Sequence, residues 1–207
     1  MKHRLPMLEE RGIAEAALLR LEQTKTFERD LLTRTPVTCH KGCHHCCQHP
    51  VMMSILEGIS LQRWLADHRM WSTALKAKFE AHHAKVYGLE LGLWLISEIP
   101  CPLLEASKGV CTAYEGRPSS CRLTFSTGDA YLCHPHRLVD AQSIVPRREA
   151  IGQIVDQESK ILKRTKQKLA YLPLSTAVLI GERINNGDLS LRDYAQEVLR
   201  MDLDRGT

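Results

Sequence analysis

The segment Cys39–Cys47, with the sequence CHKGCHHCC, places four cysteines and three histidines within nine consecutive positions. Three kinds of site bring cysteines this close together in sequence: a disulfide framework, a metal or cluster site, and a reactive thiol. The rest of the chain helps to decide among them.

The N-terminal sequence argues against disulfides. It reads MKHRLPMLEERGIAEAALL, and Glu9, Glu10 and Arg11 interrupt any apolar stretch, so no secretory signal is predicted. The longest apolar run, Leu91–Ile96, is too short to cross a bilayer. We therefore expect a soluble cytoplasmic protein that does not contact a membrane. Its thiols would stay reduced, so that clustered cysteines bind metal or act in catalysis rather than form bridges.

All eight cysteines of the chain fall into two groups. The first group is Cys39, Cys43, Cys46 and Cys47, and the second is Cys101, Cys111, Cys121 and Cys133. On a helix, the spacing of the first group would put its sulfurs on one side. In a turn, Gly42 would give the backbone the freedom to fold the thiols around one centre. Because Cys46 and Cys47 are adjacent, their side chains diverge toward different centres or different corners of one cluster.

Thiolate ligands select zinc, iron–sulfur clusters or copper(I) over magnesium and calcium. We predict that all eight cysteines are metal ligands, either as two four-thiolate sites or as one cluster with spare thiols. An iron–sulfur cluster, most simply 4Fe-4S, is favoured over Zn²⁺ because cysteine alone can supply the ligands and because zinc sites rarely use an adjacent cysteine pair. The cations Lys41, Arg117 and Arg122 are placed in the sequence to offset the negative charge. His44 and His45 are the alternative ligands of a mixed site.

Outside the cysteine regions the apolar spacing is helical, which predicts a mainly α fold: a small helical domain whose two cysteine-rich loops form a metal site, plus C-terminal helices. We predict a metal-binding domain over residues 1–140 and a helical extension packed on it over residues 141–207. No strand alternation is convincing, apart from a weak hairpin signal around VCTAY and RLTFS. The first predicted helix covers about Pro6 to Leu32. Ser54 and Ser72 are the predicted caps of the next two helices, the second of which runs to about Ile96. A further helix follows Pro146, and Ser175 and Ser190 are the predicted caps of two more.

Two blocks of sequence carry a family resemblance. CHKGCHHCC, followed by CPLL and GVCTAYEGRPSSCR, resembles the CxxxCxxCC, CP-x-L and G-x-C-x-x-Y-E-x-R-P-x-x-C-R elements of the YkgJ-like cysteine-cluster family, over residues 36 to 124. The resemblance implies chelation of zinc or iron without naming a reaction. The chain departs from the family pattern at His44, Leu103 and Ala113, which changes packing or turns but removes no thiol.

Three function classes follow from these observations. The first is a metal- or cluster-binding protein with no assigned catalysis, and this function is compatible with a protein partner. The second is an iron–sulfur-dependent S-adenosylmethionine methyltransferase, since flagellin lysine N-methylases look similar in the first block; a radical enzyme is disfavoured because no βα alternation is present. The third is a nucleic-acid-binding zinc protein, which is disfavoured because the basic run KILKRTKQKL lacks interleaved aromatic residues.

Overall fold

The computed structural model describes residues 22–30, 32–34, 36–40, 42–140, 148–164 and 170–203. The fold is mainly α, as predicted. Helix α1 covers residues 22–30 and 32–34, and the remaining helices are α2 (Ile55–Asp67), α3 (Thr73–Val86), α4 (Leu91–Ile96), α5 (Ser119–Arg122), α6 (Arg148–Arg164), α7 (Leu174–Asn185) and α8 (Tyr194–Leu203). The beginning of the predicted first helix lies outside the described residues, and the division into two domains stays a prediction.

Helices α2 and α7 form the centre of the hydrophobic core and touch through their backbones. A Cβ atom on Gly58 would lie 2.3 Å from the carbonyl oxygen of Ala177, and one on Gly181 would lie 2.8 Å from the carbonyl carbon of Gly58. Only residues without a side chain allow this approach. The apolar side chains on both sides of the crossing, including Ile55, are fully buried.

A short antiparallel ladder lies at the N-terminal ends of both central helices. Strand β1 (Met52–Ser54) pairs with β4 (Tyr171–Pro173), with Met53 opposite Leu172. Each strand runs directly into its helix, α2 or α7. The expectation that the chain has no convincing strands was therefore wrong for these two segments. Strands of three residues are too short to show a repeating alternation.

The predicted capping box at the start of α2 is confirmed. The Ser54 hydroxyl accepts the backbone N–H of Glu57 at 3.2 Å, and the Glu57 carboxylate accepts the backbone N–H of Ser54 at 3.2 Å. The second carboxylate oxygen of Glu57 accepts the N–H of Ser119 at 2.6 Å, which fixes the start of α5 against α2. This matters for the site because α5 carries Cys121.

The helix predicted to run from Ser72 to about Ile96 is instead two helices. Ser72 does cap α3, but the chain adopts left-handed backbone at Gly88 (φ 74°), and α4 begins anew after Glu90, whose carboxylate accepts the N–H groups of Gly92 and Leu93. The short helix α4 leaves Leu93 51% exposed.

The predicted C-terminal caps are shifted. Helix α7 begins at Leu174 after Pro173, so Ser175 lies inside the first turn rather than at the cap. Similarly, α8 begins at Tyr194 and not directly after Ser190. Proline is well suited to a helix start because its fixed φ is helical and its missing N–H needs no partner.

The Ser175 hydroxyl is used in a tertiary contact with α3. It forms a 3.0 Å hydrogen bond with Nδ1 of His82, a buried side chain whose ring lies edge-on to Trp94. Burial, reinforced by the nearby charges of Lys85 and His83, lowers the pKa of His82 to about 4. His82 is therefore neutral in the folded protein at neutral pH.

We expect His82 to make the protein less stable in mild acid. Below its usual pKa of about 6.5 the unfolded chain takes up a proton that the folded chain does not, so the free energy of unfolding falls as the pH drops from about 6.5 to about 4, by roughly 2–3 kcal/mol in all. His82→Gln cannot titrate and should remove this part of the pH dependence. Urea unfolding of both proteins at several pH values measures the difference, and equal slopes would contradict the prediction.

A second two-stranded ladder lies in the second cysteine region. Strand β2 (Leu104–Glu105) pairs with β3 (Val110–Cys111). A hairpin was predicted around VCTAY, but its partner is the segment before it and not RLTFS, which contributes to α5 and the loop that follows. Among the described residues, none of the helices combines the length and apolar character that crossing a membrane requires.

Candidate metal centre

The first cysteine block folds as a turn followed by a short 3₁₀ helix. Of the two alternatives, helix or turn, the block adopts the turn, and Gly42 has φ 100°, a conformation that glycine adopts readily. The N–H of Cys43 then donates to the carbonyl of His40 at 3.0 Å. The 3₁₀ helix His45–Gln48 presents Cys46 and Cys47 on consecutive positions. A turn at Gly42 and a single helical turn thus bring the block to one place.

The second block reaches the first through the backbone. The N–H of Cys101 donates to the carbonyl of Cys47 at 2.8 Å, so the two blocks are joined directly although they are 54 residues apart. Cys111 lies on the hairpin strand β3, and Cys121 lies on α5. Gly109 in the hairpin turn has φ 63°, and a Cβ there would lie 2.7 Å from Nδ1 of His44, so the turn also packs against the first block.

Six of the eight cysteines line one cavity of about 60 Å³, three from each block. Apolar side chains complete much of the wall, and the lining contains no histidine, aspartate or glutamate. The predicted convergence of the two blocks is thereby confirmed. The lining residues are Gly42, Cys43, Cys46, Cys47, Val51, Cys101, Leu103, Cys111, Tyr114, Arg117, Pro118, Cys121 and Leu174.

The two remaining cysteines lie together beside the cavity. Cys39 accepts a hydrogen bond from the N–H of Ser126 at 3.2 Å, and Cys133 is buried, with the Ser126 side chain as its hydrogen-bond partner. The charges of Cys39 and Cys133 both act on Cys43, which lines the cavity. Cys43 therefore connects this pair to the other five cavity cysteines.

The cavity thiols are strongly disfavoured as isolated anions. Burial raises the pKa of Cys101 and Cys121 well above the usual range. The pKa of Cys46 is raised most, first by its hydrogen bond with Cys47 and then by burial. Although the residue Cys46 is exposed overall, its thiol is closely surrounded by other atoms. Thiolates so placed require a cation to hold them deprotonated. The donor set, thiols only around a shared cavity, fits a thiolate-bound metal.

One arginine lines the cavity and a second supports it. The guanidinium of Arg117 lies 3.5 Å from the centroid of the Tyr114 ring and pairs with Glu28 of α1 at 2.7 Å. Arg122 is 2% exposed and pairs with the other oxygen of Glu28, and its Nε donates to the carbonyl of Arg117 at 2.9 Å. The charge of Arg117 lowers the pKa of Cys111 against the larger effect of burial.

Sequence patterns predicted the roles of Arg117 and Arg122 as neighbours of the thiols. They did not predict Glu28, which holds both arginines from a helix 89 residues away along the chain from Arg117. Lys41, the third predicted cation, lies outside the described residues.

The histidines of the first block do not line the cavity. The rings of His44 and His45 stack with centroids 5.3 Å apart, and His45 faces Tyr131 and His134 on the other side. Nδ1 of His40 is 3.0 Å from the carbonyl of Thr38. Across the described residues, no three Cys, His, Asp or Glu side chains already meet in the geometry of a bound ion.

Comparison with known proteins agrees with the chemistry of the cavity. No curated protein and no solved structure matches the chain. A family model named CxxCxxCC and described as "Putative zinc- or iron-chelating domain" matches residues 38–150, more than half of the chain and all eight cysteines. The chain therefore belongs to the CxxCxxCC family of zinc- or iron-chelating domains.

Proposed function

We propose that this member of the family is an iron–sulfur protein, with the cluster held in the cysteine cavity. The observation that carries the proposal is the lining: six thiols from two distant blocks surround one space, and no histidine or carboxylate competes with them. Iron–sulfur clusters are held by cysteine thiolates, typically four for each cluster. Structural zinc sites, by contrast, often combine cysteine with histidine.

Four of the cavity thiols form the best-connected set. Besides burial, the charges of Cys46, Cys111 and Cys121 all raise the pKa of Cys101, and those of Cys46 and Cys111 raise the pKa of Cys121. The four thiols come from a 3₁₀ helix, a loop, a strand and a helix, and backbone hydrogen bonds join the first three of these segments. We assign these four thiols as the cluster ligands.

The other cysteines form a second set of metal ligands in this proposal. Besides burial, the charges of Cys39 and Cys133 raise the pKa of Cys43. Cys47 completes this set from the cavity wall, where its side chain is hydrogen-bonded to that of Cys46 and does not diverge from it as the sequence had suggested. With these four, all eight cysteines are ligands of two adjacent centres. All eight are free thiols in the structure, which suits a reducing compartment such as the cytoplasm.

The surroundings suit a negatively charged cluster. Four thiolates around a cluster leave net negative charge, and Arg117 supplies a positive charge at the cavity wall. The apolar side chains Val51, Leu103 and Leu174 limit access of water. Charge, hydrogen bonds to sulfur and burial are the features by which proteins set the potential of such clusters.

Anaerobic purification followed by iron, acid-labile sulfide and zinc analysis tests this proposal. We expect about four iron and four sulfide for each cluster, together with the brown absorption of iron–sulfur proteins. Zinc in place of iron, with no acid-labile sulfide and a colourless protein, would contradict the cluster and leave the chain as a zinc-chelating protein.

A further inference from the structure

A group of possible ligands outside the cysteine cavity has no role in the proposed cluster. The Nε2 atoms of His134 and His136 lie 3.4 Å and 3.0 Å from the same oxygen, Oε1 of Glu98. We call these three residues the His–Glu cluster. It lies where the chain after α4 meets the 3₁₀ segments Ala130–Cys133 and Pro135–Asp140.

The contacts within the His–Glu cluster are ion-pair contacts rather than aligned hydrogen bonds, and the Glu98 side chain as a whole is 35% exposed. Oε1 of Glu98 is shielded from solvent, and in the described part of the chain no N–H or O–H donates to it. A buried carboxylate oxygen with no donor is costly, so such an oxygen is expected to have a cationic partner. The groups that face this oxygen are two imidazole nitrogens, and neutral imidazole nitrogens are common metal ligands.

The distances fit a tetrahedral divalent ion. Zinc binds histidine nitrogen and carboxylate oxygen at about 2.0–2.1 Å, so two such ligands of one tetrahedral ion are about 3.3 Å apart. The two observed nitrogen-to-oxygen distances, 3.0 Å and 3.4 Å, are close to this value. As placed, the three side chains do not form a ready-made ion site, so binding requires them to change conformation.

The backbone holds the three residues in place. Glu98 has φ 48°, a left-handed conformation that costs a residue with a side chain on the order of 1 kcal/mol. His134 is fixed by its N–H, which donates to the carbonyl of Tyr131 at 3.1 Å. The ring of His45 lies 6.3 Å from that of His134, centroid to centroid, and so provides a third imidazole nearby.

We propose that Glu98, His134 and His136 bind a divalent cation of the zinc type, at a site separate from the thiol-bound metal. Nitrogen and oxygen ligands suit such a borderline ion, whereas the thiols suit softer chemistry. The side chain of His136 is 61% exposed, so the ion at this site exchanges with solvent. The site lies beside the 3₁₀ helix that carries Cys46, through His45.

Calorimetric titration of Zn²⁺ into the protein as purified, with its thiol-bound metal in place, tests the proposal. We expect one further equivalent of Zn²⁺ to bind, and His136→Gln and Glu98→Gln each to weaken this binding by more than about tenfold. The two variants come from separate segments, so a local folding fault in one would not explain both. His68→Gln is the matched control, since His68 stacks on Trp64 away from the cluster, and it should bind the extra ion like the unmodified protein.

Tightly bound iron, zinc and sulfide are measured on the same samples, so that loss of metal from one site can be distinguished from loss of metal from the other. The His–Glu variants should keep the thiol-bound metal, while a cysteine variant should lose it and keep the extra Zn²⁺. Absence of the extra equivalent in the unmodified protein, or its full retention in both His136→Gln and Glu98→Gln, would overturn the proposal and leave the group as a histidine–carboxylate ion pair.

Discussion

Cys46→Ser and Cys121→Ser should each yield a protein that has lost the cavity cluster, with less than roughly a tenth of the normal acid-labile sulfide and of the iron that accompanies it. Serine preserves the size of the side chain, but its hydroxyl is hard and remains protonated near neutral pH, so it is a poor ligand for a soft metal. The two cysteines come from different blocks yet line the same cavity. Loss of the cluster in both variants would show that one centre depends on both blocks. Iron and sulfide analysis and the absorption spectrum measure this loss.

His44→Ala is the control for these variants. His44 is a neighbour of the ligands in sequence, but it does not line the cavity, and its ring packs against Gly109 and His45. The metal content should therefore be nearly unchanged. Full metal content in both serine variants would refute the assignment of the ligands, and loss of metal in His44→Ala would instead support a mixed cysteine and histidine site.

A test of the second ligand set follows the same logic. Under the proposed division, Cys39→Ser should remove metal from the second centre while the cavity cluster, held by Cys46 and its partners, keeps its sulfide. One shared centre would instead lose metal and sulfide together. The outcome bears directly on Cys43, which lies at the boundary of the two sets.

The gathering of the cysteines could be predicted from the sequence because so many thiols close together along the chain are typical of a metal site. Short sequence motifs were equally informative where they predict one local structure, as the capping box of Ser54 and Glu57 does. In both cases the chemistry lies in residues close together in sequence. The conformation of Gly42 belongs to the same class.

Features that depend on distant pairs could not be predicted in this way. The ladder between β1 and β4 joins segments more than one hundred residues apart, and neither strand is long enough to show alternation. Glu28 looked like any acidic residue on a helix, yet it pairs with both Arg117 and Arg122. Ser175 was taken for a cap because serine favours that position, but its hydroxyl is used by His82.

The close approach of α2 and α7 is a further feature of this kind, and it leads to the second large expected effect. We expect Gly58→Ala to lower the free energy of unfolding by about 4 kcal/mol, because the added methyl group would lie 2.3 Å from the backbone oxygen of Ala177 and no side chain can move to relieve the clash. The two helices would have to separate, and their buried apolar contacts would loosen.

Gly152→Ala provides the matched control. Gly152 is an exposed position in α6, and a Cβ there would have no atom within 4 Å. Alanine favours a helix over glycine, so this variant should be more stable by about 0.5–1 kcal/mol. Denaturant unfolding of both variants under the same metal conditions compares them. Because the two changes are chemically identical, opposite signs would locate the effect at the crossing of α2 and α7, whereas a mild effect of Gly58→Ala would show that the helices do not meet as closely as described.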